Sequence, residues 1–171
     1  MEFRLAHREE LSQIKEVFRE LNDHMMKNGI FIWDDFYPCE VFEADIEKSR
    51  LYVLVEGDEI LSAFALCEKH SGAQYINWED NEASALYFKR FGVNPKHLRK
   101  GIASIMLDNA VKVAGDKGAE YLRLFAVEVN EPAMKAYLKS GFKSGEGLYV
   151  EEIEDAGTYR EIGLEIKTSA R

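Results

Sequence analysis

The tightest constraint on the fold is the order in which two periodicities follow one another. Leu51–Glu56 and Ile60–Cys67 are short apolar runs separated by Gly57-Asp58, the pattern of a β-hairpin. Beyond them, strand-like runs alternate with helical ones. Ala85–Val93 precedes a helix over Gly101–Lys117, and Tyr121–Val127 precedes a helix over Asn130–Ser140. A hairpin and helix-linked strands in one chain predict an α/β fold. Its centre is a mixed, partly parallel sheet with helices on both faces.

The remaining segments fit this scheme. Phe3–Ala6 reads as a first strand, and Leu11, Ile14, Phe18, Leu21 and Met25 form the apolar stripe of a helix that Asn28-Gly29 ends. Glu40–Lys48 is a second short helix, and Glu68–Ser84 reads as irregular. In the helix after the fourth strand, Ile102, Ile105, Met106, Ala110 and Val113 are expected on the buried face. Thr158–Ile166 alternates as a closing strand. With no repeat, low-complexity stretch or linker in 171 residues, one domain over 1–171 is expected.

Charge and cysteine usage narrow the function classes. A net charge of −9 argues against general nucleic-acid binding, which needs a basic face. No apolar run has membrane-span length, and the start of the chain does not read as a secretory signal. Cys39 and Cys67 have neither disulfide-framework nor metal-ligand spacing. A cytoplasmic protein with two reduced thiols and no metal is expected.

Chemistry concentrates in two stretches. In Val93-Asn94-Pro95-Lys96-His97-Leu98-Arg99-Lys100-Gly101-Ile102-Ala103-Ser104 a strand ends, a basic loop follows, and a helix starts at a glycine. The first N–H groups of a helix lack intrahelical partners and favour anions. Gly101 lets a diphosphate approach without a Cβ in the way. A solvated basic turn before an ordinary helix would use the same residues, and both readings stand. In the second stretch, Asn130 to Phe142, Asn130 suits a helix cap, Pro132 the first turn, and Gly141 the αL close.

Together, in this order and about thirty residues apart, the two stretches resemble the signature of the GNAT N-acetyltransferases. The family loop Gln/Arg-x-x-Gly-x-Gly/Ala is matched by Leu98-Arg99-Lys100-Gly101-Ile102-Ala103. The later Asn, Ala, Tyr and Gly-Phe are matched by Asn130, Ala133, Tyr137, Gly141 and Phe142. The departure is Leu98, where the family has Gln or Arg. The loop charge is left to Arg99 and Lys100.

The resemblance implies acetyl-CoA as cosubstrate, lying in a splay of Ala85–Val93 from Tyr121–Val127. Phe91, Gly92 and Val93 would pair with the pantetheine arm. The N–H groups from Arg99 to Ala103, with the Ser104 hydroxyl, would hold the pyrophosphate. Asn130 would sit near the pantetheine end and Tyr137 near the thioester sulfur. The reaction would be direct attack by a primary amine in a ternary complex. At pH 7, deprotonating an amine of pKa ~10.4 costs about 5 kcal/mol, so a base is needed. Tyr137 is the candidate acid for the leaving thiolate, and a backbone N–H near Val93 the oxyanion donor.

For the base, Glu128 is the first candidate, with Glu79, Asp80 and Glu82 nearby, though for each the solvated-acid reading is favoured. Trp33, Trp78 and Glu79 are candidates for the acceptor pocket, where packing of the tryptophans is the alternative. The acceptor is expected to be a small-molecule amine. The exposed terminal strands leave a homodimer open. A second reading is a non-catalytic acyl-CoA-binding or regulatory module of the same fold, which Leu98 favours. A P-loop or Rossmann reading fails on spacing, since the loop lacks Gly-Lys-Ser/Thr and G-x-G-x-x-G.

Overall fold

A computed structural model describes residues 1–153 and 157–170. The elements in chain order are β1 (Glu2–Leu5), α1 (Leu11–Lys27), α2 (Phe42–Glu47), β2 (Leu51–Glu56), β3 (Glu59–Cys67), β4 (Ile76–Asn77) and β5 (Ala85–Val93). Then come α3 (Ile102–Asp116), β6 (Tyr121–Val127), α4 (Glu131–Lys139), β7 (Lys143–Ser144), β8 (Glu146–Gly147), β9 (Tyr149–Ile153) and β10 (Gly157–Lys167). The chain forms two compact units. The first is Met1–Leu66 with Arg90–Met106, and the second is Cys67–Lys89 with Leu107–Arg171.

In the first unit, β1, β2 and β3 are antiparallel neighbours, and β3 lies beside β5. The hairpin turns at Gly57, whose φ of 59° suits glycine. Every residue of β3 from Ile60 to Cys67 is buried, as its unbroken apolar run requires. α1 buries Ile14, Val17, Phe18, Leu21 and Met25, the predicted stripe with Val17 added and Leu11 left half-buried. Phe18 meets Phe42 of α2 edge-on at 4.7 Å and Trp33 stacked at 5.5 Å.

β5 is shaped by its own residues in this unit. A Cβ on Gly92 would lie 2.6 Å from Leu21 and 2.7 Å from Phe18, so glycine there lets α1 close on the strand. Gly92→Ala is therefore expected to cost about 1–3 kcal/mol by overpacking. A urea titration checks this, and an unchanged midpoint would contradict the tight approach. Two residues earlier Arg90 has φ 53°, uncommon for a side-chain-bearing residue. Its guanidinium donates to buried Asp45 of α2 through Nε at 2.7 Å and Nη2 at 2.9 Å. Arg50 Nε adds a third bond to the same carboxylate at 2.7 Å.

In the second unit, β5 and β6 run parallel, with Ala85 opposite Tyr121 and Phe88 opposite Leu124. β6 pairs antiparallel with β10, and β10 with β9 and β7. A parallel pair beside antiparallel ones makes the mixed sheet that the sequence predicts. Successive β5 residues point to opposite sides. Tyr87 faces His70 at 6.1 Å, and Phe88 meets Tyr137 of α4 edge-on at 6.4 Å.

Two sequence expectations need correction. Glu68–Ser84 is not wholly irregular: Ile76–Asn77 forms a two-residue ladder with β8. Two ladder pairs are too few to leave a periodic signal. The fully covered residues of α3 include Met106, Leu107, Ala110, Val111 and Ala114, while Ile105 and Val113 are half-buried. The expected row Ile102–Met106–Ala110 is buried and continues to Ala114, with Leu107 and Val111 beside it in place of Ile105 and Val113.

Candidate functional site

The loop before α3 leads from β5 onto the head of the helix. Asn94 is buried and anchors it from below. Its N–H donates to Leu61 O at 2.8 Å and its Nδ2 to Ile60 O at 3.0 Å, while its side-chain oxygen accepts from Lys96 N–H at 3.0 Å. Arg99 and Gly101 have φ of 61° and 80°, so the chain turns sharply onto the helix. The first α3 bond runs from Ile105 N–H to Gly101 O at 3.2 Å. The N–H groups of Ile102, Ala103 and Ser104 therefore precede the helical ladder. A Cβ on Gly101 would meet nothing within 4 Å, so the turn is open on that side.

The basic side chains of the loop divide into two pairs. Lys96 faces Glu20 at 3.4 Å, and the His97 ring meets Glu59 at 2.9 Å. Arg99 and Lys100 are exposed and have no ion pair among the described residues. Leading N–H groups, an open glycine turn and two uncommitted cations fit a diphosphate. Leu98 is half-buried. Phe91, Gly92 and Val93 lie in the same unit as this loop, and Gly92 O accepts from buried Ser62 Oγ at 2.6 Å. Trp33, also in this unit, is engaged in stacking on Phe18.

The second unit holds the remaining candidates. Asn130 caps α4, accepting from Ala133 N–H at 3.4 Å, with Pro132 in the first turn. Tyr137 is 7% exposed, between Phe88 and Phe142. Burial alone pushes its phenol well above the ordinary tyrosine value, so it keeps its proton at neutral pH.

Glu128 and Glu79 are exposed and already paired. Glu128 accepts from Arg160 Nε at 2.9 Å and Glu79 from Lys167 Nζ at 2.7 Å. Hydrogen bonding to Lys167 lowers the Glu79 pKa. A lowered pKa makes the Glu79 carboxylate a weaker proton acceptor.

Trp78 is buried. Its Nε1 donates to Ala73 O at 3.1 Å, and the Arg123 guanidinium lies 4.5 Å over its ring. Arg123 is itself held by buried Glu165 at 3.1 Å. Trp78 also lines a cavity of about 600 Å³ with Tyr75, Asn81, Tyr87, Arg123 and Glu146. Its packing and pocket-lining roles therefore coincide.

Three features carry no signal in the loop and helix motifs. Asn94 stands out only as an asparagine before proline. The Asp45–Arg90 pair joins residues 45 apart in sequence. Glu161 is one of several acids in an alternating strand, and alternation does not say which face is covered.

The first unit thus carries an open turn at the head of α3, and the second a capped α4 with a buried tyrosine. Comparison with known proteins gives the family. The profile of the Acetyltransferase (GNAT) family matches residues 14–142, and the chain belongs to that family. Streptothricin acetyltransferase from Streptomyces lavendulae is 33% identical over 100 residues, 58% of this chain and 48% of that protein. The match thus spans about half the length of that relative. A GNAT acetyltransferase from Streptococcus agalactiae 2603 shares the fold with a TM-score of 0.81. It is 18% identical, over 97% of this chain and 94% of that one. The yncA protein of Salmonella typhimurium, solved with its cofactor acetyl-CoA, has a TM-score of 0.70. It is 14% identical, over 98% and 94% of the two chains.

Proposed function

We propose that the chain works as one N-acetyltransferase domain. It moves the acetyl group of acetyl-CoA to a primary amine of a small molecule by direct attack in a ternary complex. The observation that carries this reading is the turn Leu98–Ser104, with leading N–H groups, an open Gly101 and two cations uncommitted among the described residues. The similarity to a streptothricin acetyltransferase supports a small-molecule acceptor and makes streptothricin the first compound to try.

Acetyl-CoA supplies the activated acetyl group as a thioester. The protein's own residues do the rest. Ile102, Ala103 and Ser104 present N–H groups to the pyrophosphate, and Arg99 and Lys100 add charge. Phe91, Gly92 and Val93 pair with the pantetheine arm as an added strand. A backbone N–H near Val93 steadies the developing oxyanion. Asn130 holds the start of α4, and Tyr137, protonated by virtue of its burial, donates to the departing sulfur.

Calorimetry tests the cradle. Reversing both Arg99 and Lys100 to Glu is expected to weaken acetyl-CoA binding about 10-fold, with the difference shrinking as salt screens it. Melting temperature should stay within a degree or two, because both side chains are exposed. Unchanged affinity would overturn this placement of the pyrophosphate.

A further inference from the structure

The exposed acids leave the amine's proton without an acceptor, and β10 carries a different carboxyl. Glu161 lies opposite Val127, the last residue of β6, and opposite Tyr149 of β9. Directly opposed residues share a sheet face, so Glu161 is flanked by one aliphatic and one aromatic side chain. Gly163 and Phe125 are the next opposed pair on that face. His70 covers Phe125, with its ring stacked at 4.0 Å, and meets Tyr149 edge-on at 5.9 Å. Glu161 Oε2 is buried without a hydrogen-bond partner among the described residues. A buried carboxylate oxygen without a donor is costly and calls for a function.

Resting on the acetyltransferase reading above, we propose that Glu161 is the general base that takes the acceptor amine's proton. The acceptor is an alkylammonium whose N–H fills the empty valence of Oε2, beside the aromatic layer of His70, Phe125 and Tyr149. Burial, reinforced by the Glu151 carboxylate and opposed by Lys89, raises the Glu161 pKa to about 7. These are the charged groups acting on it, from β9 and β5. At neutral pH such a carboxyl is about half ionised, and it is far better matched to an amine than an ordinary carboxylate. Phe88 and Tyr87 show that α4 and the His70 layer lie on opposite sides of β5. Base and acid thus reach the reaction from different faces.

The step balances without a further reactant. The ammonium N–H bond breaks and an O–H bond forms on Glu161. The neutral nitrogen bonds to the thioester carbonyl carbon, and the C–S bond breaks. The second nitrogen proton reaches sulfur by way of the Tyr137 hydroxyl. Glu161 returns its proton to solvent, leaving amide, free thiol and one released proton.

The test follows Glu161→Gln and Glu161→Asp beside the parent, reading thiol release against pH, acetyl-CoA affinity and melting temperature. The parent's kcat/KM should fall on the acid side with a midpoint near 7. In E161Q that limb should vanish and the rate drop about 10²-fold or more, with acetyl-CoA affinity unchanged; E161D should keep the limb at reduced rate.

Melting gives a readout independent of turnover. The raised pKa means that the folded protein binds more protons than the unfolded chain between the ordinary glutamate value and about 7. Its contribution therefore favours the fold at low pH and is lost as pH rises through that window. E161Q should melt near the parent at about pH 5 and above it at about pH 8.5. A parent that transfers acetyl while E161Q keeps both rate and limb overturns the proposal alone. Identical melting across pH for the two chains overturns it as well. A parent that binds no acetyl-CoA overturns the wider reading and this one together.

Discussion

Tyr137→Phe is expected to lower kcat by about 10²-fold while acetyl-CoA binds as before. The substitution removes one hydroxyl and leaves the ring between Phe88 and Phe142 in place. The cradle residues Leu98–Ser104 belong to the other unit and keep their geometry. A thiolate leaving without a nearby proton donor has only solvent to protonate it, and Tyr137 is buried where solvent is scarce. The phenol's raised pKa makes it a reservoir that stays full across neutral pH. Steady-state kinetics with saturating acetyl-CoA, beside a calorimetric affinity, separate the two effects. Equal kcat in both proteins would remove Tyr137 from the reaction. A parallel fall in affinity would make it a binding residue.

The largest effect on stability is expected at Asp45. Its side chain is wholly buried, and Arg90, at 6% exposure, depends on it for two charge-assisted bonds. Asp45→Ala removes the carboxylate that accepts both of these bonds from a buried guanidinium, which costs about 3–5 kcal/mol. It also frees Arg90 from the contact that holds its left-handed backbone, a conformation that costs about 1 kcal/mol or more. For a chain of this length the melting temperature should fall by about 10 °C. Asp45→Asn, which keeps one acceptor oxygen, should fall less. Because Arg90 opens the segment Arg90–Val93, acetyl-CoA affinity should fall even at temperatures where the variant stays folded. A D45A chain that melts with the parent would show that the triad is not holding the strand.

Much of this was legible in the sequence. The hairpin, the alternation of strands with α3 and α4, and Gly57, Gly101 and Gly141 at turns are local signals, and local signals survive in one dimension. Asn130 and Pro132 announced the start of α4 because capping involves neighbours in sequence. A glycine inside a strand, as at Gly92, marks a bulge, a bend or a close approach without saying what approaches; Phe18 and Leu21 lie more than seventy residues away in sequence.

The illegible features are long-range pairings of charge. Glu128 followed a strand and so looked well placed, yet Arg160 occupies it. Glu161 looked like any acid in an alternating strand, and only the covering of its face by Tyr149 and the His70 layer sets it apart. Charge is cheap on a surface and costly inside, and the sequence alone does not say which side a strand residue faces.

The central claim is that this chain transfers acetyl from acetyl-CoA to a small-molecule amine. The most direct measurement mixes purified protein, acetyl-CoA and single amines, starting with streptothricin and a linear polyamine. It follows free thiol and the mass of the amine together. Thiol release should depend on the amine, with one acetyl group gained by the amine per thiol. Acetyl-CoA that binds tightly while no amine in a broad panel releases thiol would contradict it, and would assign the chain to acyl-CoA sensing instead.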